Sequence, residues 1–170
     1  YDLNGCCLRA PWIMEKEDFK SQLSFGDNVF GGPRWRDLVG VEKADEYLRT
    51  GAVPIMLDPE LAPVKRNFVH VDDLVSALLL AIDHPKACQQ LFNICMDEPV
   101  DYGEMGTYLQ ETRSLPNVDV RTEYHSTWLD NAKAKFLLGW CPEYDLKKLI
   151  DAAFDYERAD DDPRKVWYPG

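Results

Sequence analysis

The sequence predicts an α/β domain on three observations: short uninterrupted apolar runs, helical apolar periodicity between them, and turn residues at nearly every change from one to the other. Residues 5–9 are short and apolar and stop at Pro11, which reads as a buried strand. Residues 15–25 read as a weak helix. Residues 26–36 contain Gly31, Gly32 and Pro33 without periodicity and read as a loop long enough to suspect a role at a site. A helix over 37–50 follows, with Leu38, Val41, Asp45 and Leu48 roughly on one face and Gly51 as its left-handed cap. Residues 53–57 and 67–71 are strand candidates on either side of a turn that holds Pro59 and Pro63.

The next helix, over 73–83, has an Asp available as N-cap. Its apolar residues Leu74, Val75, Leu78, Leu79 and Ile82 cover most of its circumference, so burial on more than one side is expected. Residues 91–95 form another short apolar strand. Asp101 and Glu104 have capping-box spacing, and Val100 with Met105 fits the accompanying staple, so a helix starts there. Residues 118–123 alternate like an edge strand. A helix over 131–138 ends at Gly139, with Trp140 packing back. Leu146, Leu149, Ile150, Ala153 and Phe154 mark an amphipathic helix, and the tail over 160–170 is expected to be mobile at Asp160, Asp161 and Asp162. Because residues 5–9 and 91–95 are continuous rather than alternating apolar runs, they are expected to lie together in a parallel sheet with helices on its faces.

A chain of 170 residues with 45% hydrophobic side chains suffices for one core, so residues 1–170 are taken as a single region. With 19 basic against 30 acidic residues the net charge is −11, and basic residues cluster no further than in short pairs such as Lys147-Lys148 and Arg164-Lys165. That balance excludes nucleic acid and anionic membranes as natural partners. The longest apolar run, 74–82, falls well short of the ~20 residues that span a bilayer. The opening Tyr1-Asp2-Leu3-Asn4-Gly5 has neither a leader pattern nor an initiator Met and does not look like a natural start. Five cysteines without C-x2-C spacing read as reduced thiols, and a cytoplasmic location is the expectation.

Negative searches narrow the chemistry. There is no phosphate-binding G-x4-G-K, no H-E-x-x-H and no G-x-S-x-G elbow. His70, His84 and His125 lack ligand spacing, so no metal is expected. Gly103 and Gly106 fall inside a helix and make no dinucleotide fingerprint. The informative stretch is Arg66-Asn67-Phe68-Val69-His70-Val71-Asp72-Asp73, which presents a cation at the start of a strand and acidic residues at its end. By itself it admits two readings: an ion-paired surface arginine with capping aspartates, or an anion-binding arginine.

This stretch, with Leu74, resembles the "R-D-F-V-H-V-D-D-hydrophobic" motif of the extended short-chain dehydrogenase/reductases, the NAD(P)-dependent sugar epimerase/dehydratase family. Three further segments resemble that family's motifs in order: Leu8-Arg9-Ala10-Pro11-Trp12-Ile13, Phe92-Asn93-Ile94 through Glu98-Pro99-Val100, and Lys133-Ala134-Lys135 through Leu138-Gly139-Trp140-Cys141-Pro142. The resemblance implies the late strands of a Rossmann-type parallel sheet plus a smaller mixed α/β substrate-binding lobe. It also implies that the glycine turn for NAD or NADP and the Ser/Thr, Tyr and Lys of catalysis lie outside this chain, so that the chain alone neither catalyses nor binds dinucleotide.

Carried over by position, Arg66 matches an arginine that meets a substrate diphosphate, Trp12 a residue touching the sugar nucleotide, and Ala10 and Pro11 the backbone near the nicotinamide. Arg34 and Arg36 are added as loop cations able to close over an anionic or polyhydroxyl ligand, with Arg66 facing the same cleft. A second phosphate arginine is missing from its expected place, Arg121 being the nearest substitute. The expected ligand is a sugar or nucleotide-sugar. The absent half is a possible second chain, and a non-catalytic ligand-binding or regulatory module and a split-enzyme subunit are the alternatives.

Overall fold

The computed structural model describes residues 4–27 and 32–162. It is a mixed α/β arrangement whose strands pair two by two. Strand β1 (Cys7–Arg9) runs into β2 (Trp12–Met14), followed by α1 (Asp18–Gln22), α2 (Trp35–Val39) and α3 (Val41–Thr50). Then come β3 (Val53–Leu57), β4 (Lys65–Arg66), β5 (Phe68–His70), α4 (Val71–Ala81), β6 (Leu91–Asn93), β7 (Val100–Asp101) and α5 (Tyr102–Arg113). The order closes with β8 (Asn117–Arg121), α6 (Ala132–Leu138) and α7 (Leu146–Asp155).

Three pairs are parallel: β1 with β6, β2 with β5, and β3 with β8; β4 and β7 are antiparallel. The expected neighbours β1 and β6 meet in the register Cys7↔Leu91, Leu8↔Phe92, Arg9↔Asn93. One core gathers Met14, Phe19, Phe25, Trp35, Met56, Phe68, Tyr102 and Met105, among others, around β3 and α5. The other joins Val69, Ala77, Phe92, Ile94, Ala134, Leu138 and Trp140, with Leu8, Ala10 and Leu74 packed against it.

The capping signals hold. Asp101 accepts from the N–H groups of Gly103 (2.8 Å) and Glu104 (3.2 Å), while Val100 and Met105 are both fully buried. Gly51 and Gly139 both close their helices in the left-handed conformation. At Gly106 a Cβ would stand 2.3 Å from Ile55 Cδ1 and 3.0 Å from Asn117 Nδ2, so a side chain there forces the buried end of Ile55 to shift and crowds the seam between α5 and β3. Gly106→Val is expected to cost about 2–3 kcal/mol, and Gly106→Ala less because alanine's better helix propensity offsets part of the crowding. Thermal unfolding of the two variants checks the order.

Several expectations need correcting. The helix over 37–50 is two helices, because Gly40 at φ 85° turns the chain between α2 and α3. The loop over 26–36 ends at Trp35, where α2 begins, so Arg36 is a helix residue; its part 28–31 lies outside the described residues. The weak helix shrinks to α1, Lys16 taking a positive φ of 48° just before it. His70, not an aspartate, caps α4: its Nδ1 accepts from the Asp72 N–H. Helix α4 is buried on one side only, with Val75, Leu78, Leu79 and Ile82 exposed. The face of the β1–β6 pair that carries Leu8 and Phe92 packs in a core, but Cys7, Arg9 and Leu91 on the other face are exposed, so helices cover one face rather than both. At the acidic tail, Asp162 is tied to Lys16 at 2.6 Å and to the Tyr156 hydroxyl at 3.1 Å; residues 163–170 lie outside the described residues.

Candidate functional site

Strand β4 is two residues long and held on both sides. It pairs with β7 through Arg66↔Val100, while the Lys65 carbonyl accepts from the Thr127 N–H at 3.0 Å and the Lys65 N–H donates to Ser126 Oγ at 3.0 Å. Buried Asn67 extends this second seam, its side-chain oxygen accepting from the Leu129 N–H. The backbone at Arg66 is thereby fixed before its side chain makes any contact.

The Arg66 side chain lies against two aromatic rings. Its guanidinium carbon is 4.7 Å from the Trp12 ring centroid and 5.6 Å from that of Tyr124. Trp12 is itself braced edge-on against Phe68, at 6.4 Å and 86°, because β2 and β5 are paired with Trp12 opposite Phe68. Among the described residues Arg66 forms no ion pair. The surface pairing with Asp72 or Glu60 that sequence alone admits is therefore not formed. Rings on its faces restrain the planar fork while its N–H edge keeps its donors for a planar or tetrahedral anion. Below it lies buried Tyr102, whose phenol burial pushes up strongly and which the Arg66 charge pulls back.

Trp12 and Arg66 are thus brought together. Ala10 and Pro11 sit just beyond the carboxyl end of β1, where open α/β sheets place ligands. At that end Arg9 Nε donates to Asn93 Oδ1 at 2.9 Å, and Asn93 Nδ2 to the Asp130 carbonyl at 2.7 Å. Arg34 and Arg36 are held by carboxylates of their own region: Arg34 by Asp37 at 3.1 Å, and Arg36 by Asp45 at 2.8 Å and Asp27 at 3.3 Å. Helix α2, which carries Arg36, packs against β8, the strand leading towards Tyr124. Tyr124 itself escaped the sequence reading; its one signal is an aromatic residue just past an alternating strand.

Beside the arginine, a cavity of 420 Å³ is lined by Lys65, Asp97, Glu98, Pro99, Trp128, Leu129, Asp130 and Asn131. Strand alternation turns Lys65 away from Arg66, which separates this cavity from the arginine clamp. Its charges are largely spoken for: Lys65 meets Asp101 at 3.1 Å, and Asp97 accepts from Lys135 and Asn131, each at 2.9 Å. Asp58, Glu60 and His125 bring ligand atoms within 4.8 Å of one another despite their sequence separation. The Asp58 carboxylate is already the acceptor for the Glu60 and Ala62 N–H groups, which accounts for its place there. All five cysteines are free, and burial pushes the Cys95 thiol up to about 11, which leaves it protonated and unreactive.

The acidic end of the motif is structural. Buried Asp73 accepts from the Glu143 N–H at 2.8 Å and the Tyr144 N–H at 3.1 Å, and its carbonyl accepts from Trp140 Nε1 at 3.1 Å. The Tyr144 ring stacks on His70 at 3.7 Å. Burial holds His70 below the ordinary imidazole range against the pull of Asp72, Asp73 and Glu15, with Lys148 adding to the lowering. The unfolded chain then takes up the imidazole proton before the folded one, so stability is complete above the ordinary value of about 6.5 and falls as pH drops below it. His70→Asn keeps a capping side chain and removes the titration, so the variant's melting temperature is expected to vary less between pH 7 and 5 than that of the native protein.

No family model matches the chain, and no curated protein matches it either. Solved structures do match in fold. A short-chain dehydrogenase/reductase superfamily protein from Agrobacterium tumefaciens, with bound NAD, superposes at a TM-score of 0.70 and 21% identity, over 89% of this chain and 49% of that one. A UDP-glucose 4-epimerase from Stenotrophomonas maltophila, with NAD and formylated UDP-arabinopyranose, gives 0.61 and 18% over 91% and 48%. A UDP-glucose 4-epimerase from Thermotoga maritima, with UDP-glucose, gives 0.58 and 23% over 92% and 46%. The chain thus shares its α/β fold with these structures and spans about half of their length. No helix among the described residues is long and apolar enough to cross a membrane.

Proposed function

We propose that residues 1–170 form the substrate-binding region of an NAD(P)-dependent sugar epimerase, dehydratase or reductase, acting in the cytoplasm on a sugar or nucleotide-sugar. The observation that carries this reading is Arg66, a guanidinium that forms no ion pair among the described residues and lies against Trp12 and Tyr124. The four motif resemblances and the NAD and UDP-sugars bound by the structural neighbours support it. In this reading Arg66 grips the anionic group of the substrate and Trp12 offers an apolar face to its ring. Ala10 and Pro11 approach the nicotinamide, and Arg34 and Arg36 join only by exchanging their present carboxylates for the ligand. The cofactor supplies hydride chemistry when bound. This chain's share is to bind and orient, because its sequence holds no Gly-x-x-Gly-x-x-Gly turn, and its Tyr-x-x-x-Lys spacing, Tyr144 with Lys148, falls where the Tyr144 ring is stacked on His70 at the start of α7 and away from Arg66.

Calorimetry with the 170-residue chain tests both halves of the proposal. UDP-glucose is expected to bind and NAD or NADP to give no measurable heat. Tight dinucleotide binding by this chain alone overturns the division of labour, and loss of no affinity on Arg66→Ala overturns the assignment of the site.

A further inference from the structure

The 420 Å³ cavity beside β4 is walled on one side by the irregular segment 126–131, and nearly every residue of that segment is pinned. Ser126 and Thr127 bond to the Lys65 backbone, the Leu129 N–H donates to Asn67 Oδ1, and the Asp130 carbonyl accepts from Asn93 Nδ2. Trp128 is the exception. Its indole is 62% exposed at the cavity and, among the described residues, has no hydrogen-bond, aromatic or cationic partner. A tightly held segment thus presents a large π-face that the fold itself leaves unused.

Asn131 supplies a second unmatched group. It is only 7% exposed, and its amide nitrogen donates to the Cys95 carbonyl and to Asp97 Oδ1, each at 2.9 Å. Those two acceptors fix which way the amide faces, so its oxygen is turned from them towards the cavity that Asn131 lines. Among the described residues that oxygen accepts no hydrogen bond, and it makes no cap to the α6 backbone.

The charge is unbalanced in one sense. Lys65 is matched by Asp101 and Asp97 by Lys135, whereas Glu98 has no partner among the described residues and the Asp130 carboxylate meets only the Ala132 N–H. The cavity therefore offers two uncompensated carboxylates and an amide oxygen beside an open indole face.

We propose that this cavity binds a small organic cation of the alkyl diamine class, its ammonium groups received by Glu98, Asp130 and the Asn131 oxygen and its hydrocarbon body lying on Trp128. Acceptors and negative charge outnumber free donors here. A neutral polyhydroxyl ligand would strip water from both carboxylates without pairing them, and a bare metal ion would make no use of the indole. Strand alternation turns Lys65 and this cavity away from Arg66, so the cation site stands or falls separately from the functional reading above.

The probe is putrescine, titrated into the 170-residue chain at about 0.15 M salt, where attraction to a generally acidic surface is screened beyond about 8 Å. Proton–nitrogen spectra are expected to show saturable shifts of the Trp128 indole and of the Asn131 side-chain amide. Glu98→Gln is expected to weaken binding about tenfold and Trp128→Leu about fivefold, whereas Glu111→Gln, which removes the same charge from an exposed position on α5, changes it less than about twofold. Glu98 and Trp128 are both exposed, and if either variant loses its circular dichroism the other decides. The native titration against its controls decides without any variant. Shifts that never saturate, an equal response to magnesium chloride, or equal losses in Glu98→Gln and Glu111→Gln reduce the effect to counterion attraction and overturn the site. Equal shifts with butanediol overturn the cationic ligand class.

Discussion

Arg66→Ala is expected to weaken binding of UDP-glucose by about 30-fold, or about 2 kcal/mol, the scale of a charge-assisted hydrogen bond to an anion. The effect is large because, among the described residues, the guanidinium is neither neutralised by a carboxylate nor free to wander: Trp12 and Tyr124 flank it, and both seams of β4 fix its backbone. Arg66→Lys is expected to recover little of the loss, since an ammonium keeps the charge but has neither the planar fork nor the face that packs on two rings. The alanine variant removes no buried ion pair, so its melting temperature should move far less than its affinity. Isothermal titration beside thermal unfolding checks that split.

Asp73→Ala is expected to destabilise the fold by about 3 kcal/mol, which for a chain of this size lowers the melting temperature by about 10 °C. Both carboxylate oxygens are committed, one to the Glu143 N–H and the other to the Tyr144 N–H, and truncation strands those donors beside a helix end. Asp73→Asn is not conservative at this position: its amide nitrogen replaces one of two acceptors and faces a donor, so it should recover only part of the loss. The Tyr144 stack on His70 depends on the same clasp, so loosening Asp73 also exposes the imidazole. Differential scanning calorimetry of the alanine and asparagine variants gives the ranking.

The parts of this fold legible in the sequence are those governed by a few adjacent residues. Asp101 caps α5 because its carboxylate reaches two N–H groups within three residues, and Gly139 ends α6 because only a left-handed residue lets Trp140 fold back. The parallel pairing of β1 with β6 was legible from their unbroken apolar character. What stayed hidden depends on distant partners. Strand β2 is three residues after a proline and acquires its meaning only from β5 beside it. The apolar circumference of α4 announced burial on several sides, yet Val75, Leu78, Leu79 and Ile82 are exposed, because periodicity records apolar character and not which faces find a neighbour. At the candidate site the motif exposed Arg66 and Trp12, whereas Tyr124 is brought over the guanidinium by a turn after β8 that has no periodic signature. Arg36 was read as a free loop cation because its partner Asp45 lies nine positions away, on the far side of the Gly40 bend.

The central claim is that Arg66, held by Trp12 and Tyr124, is the anchor for the substrate of this chain. Its most direct measurement is a proton–nitrogen NMR titration with UDP-glucose that follows the Trp12 indole and Arg66 Nε resonances. The account predicts saturable shifts at both and their loss in the Arg66→Ala protein at the same ligand concentrations. Binding that shifts other resonances and leaves these two unmoved, or shifts the Trp12 indole equally with and without Arg66, would contradict it.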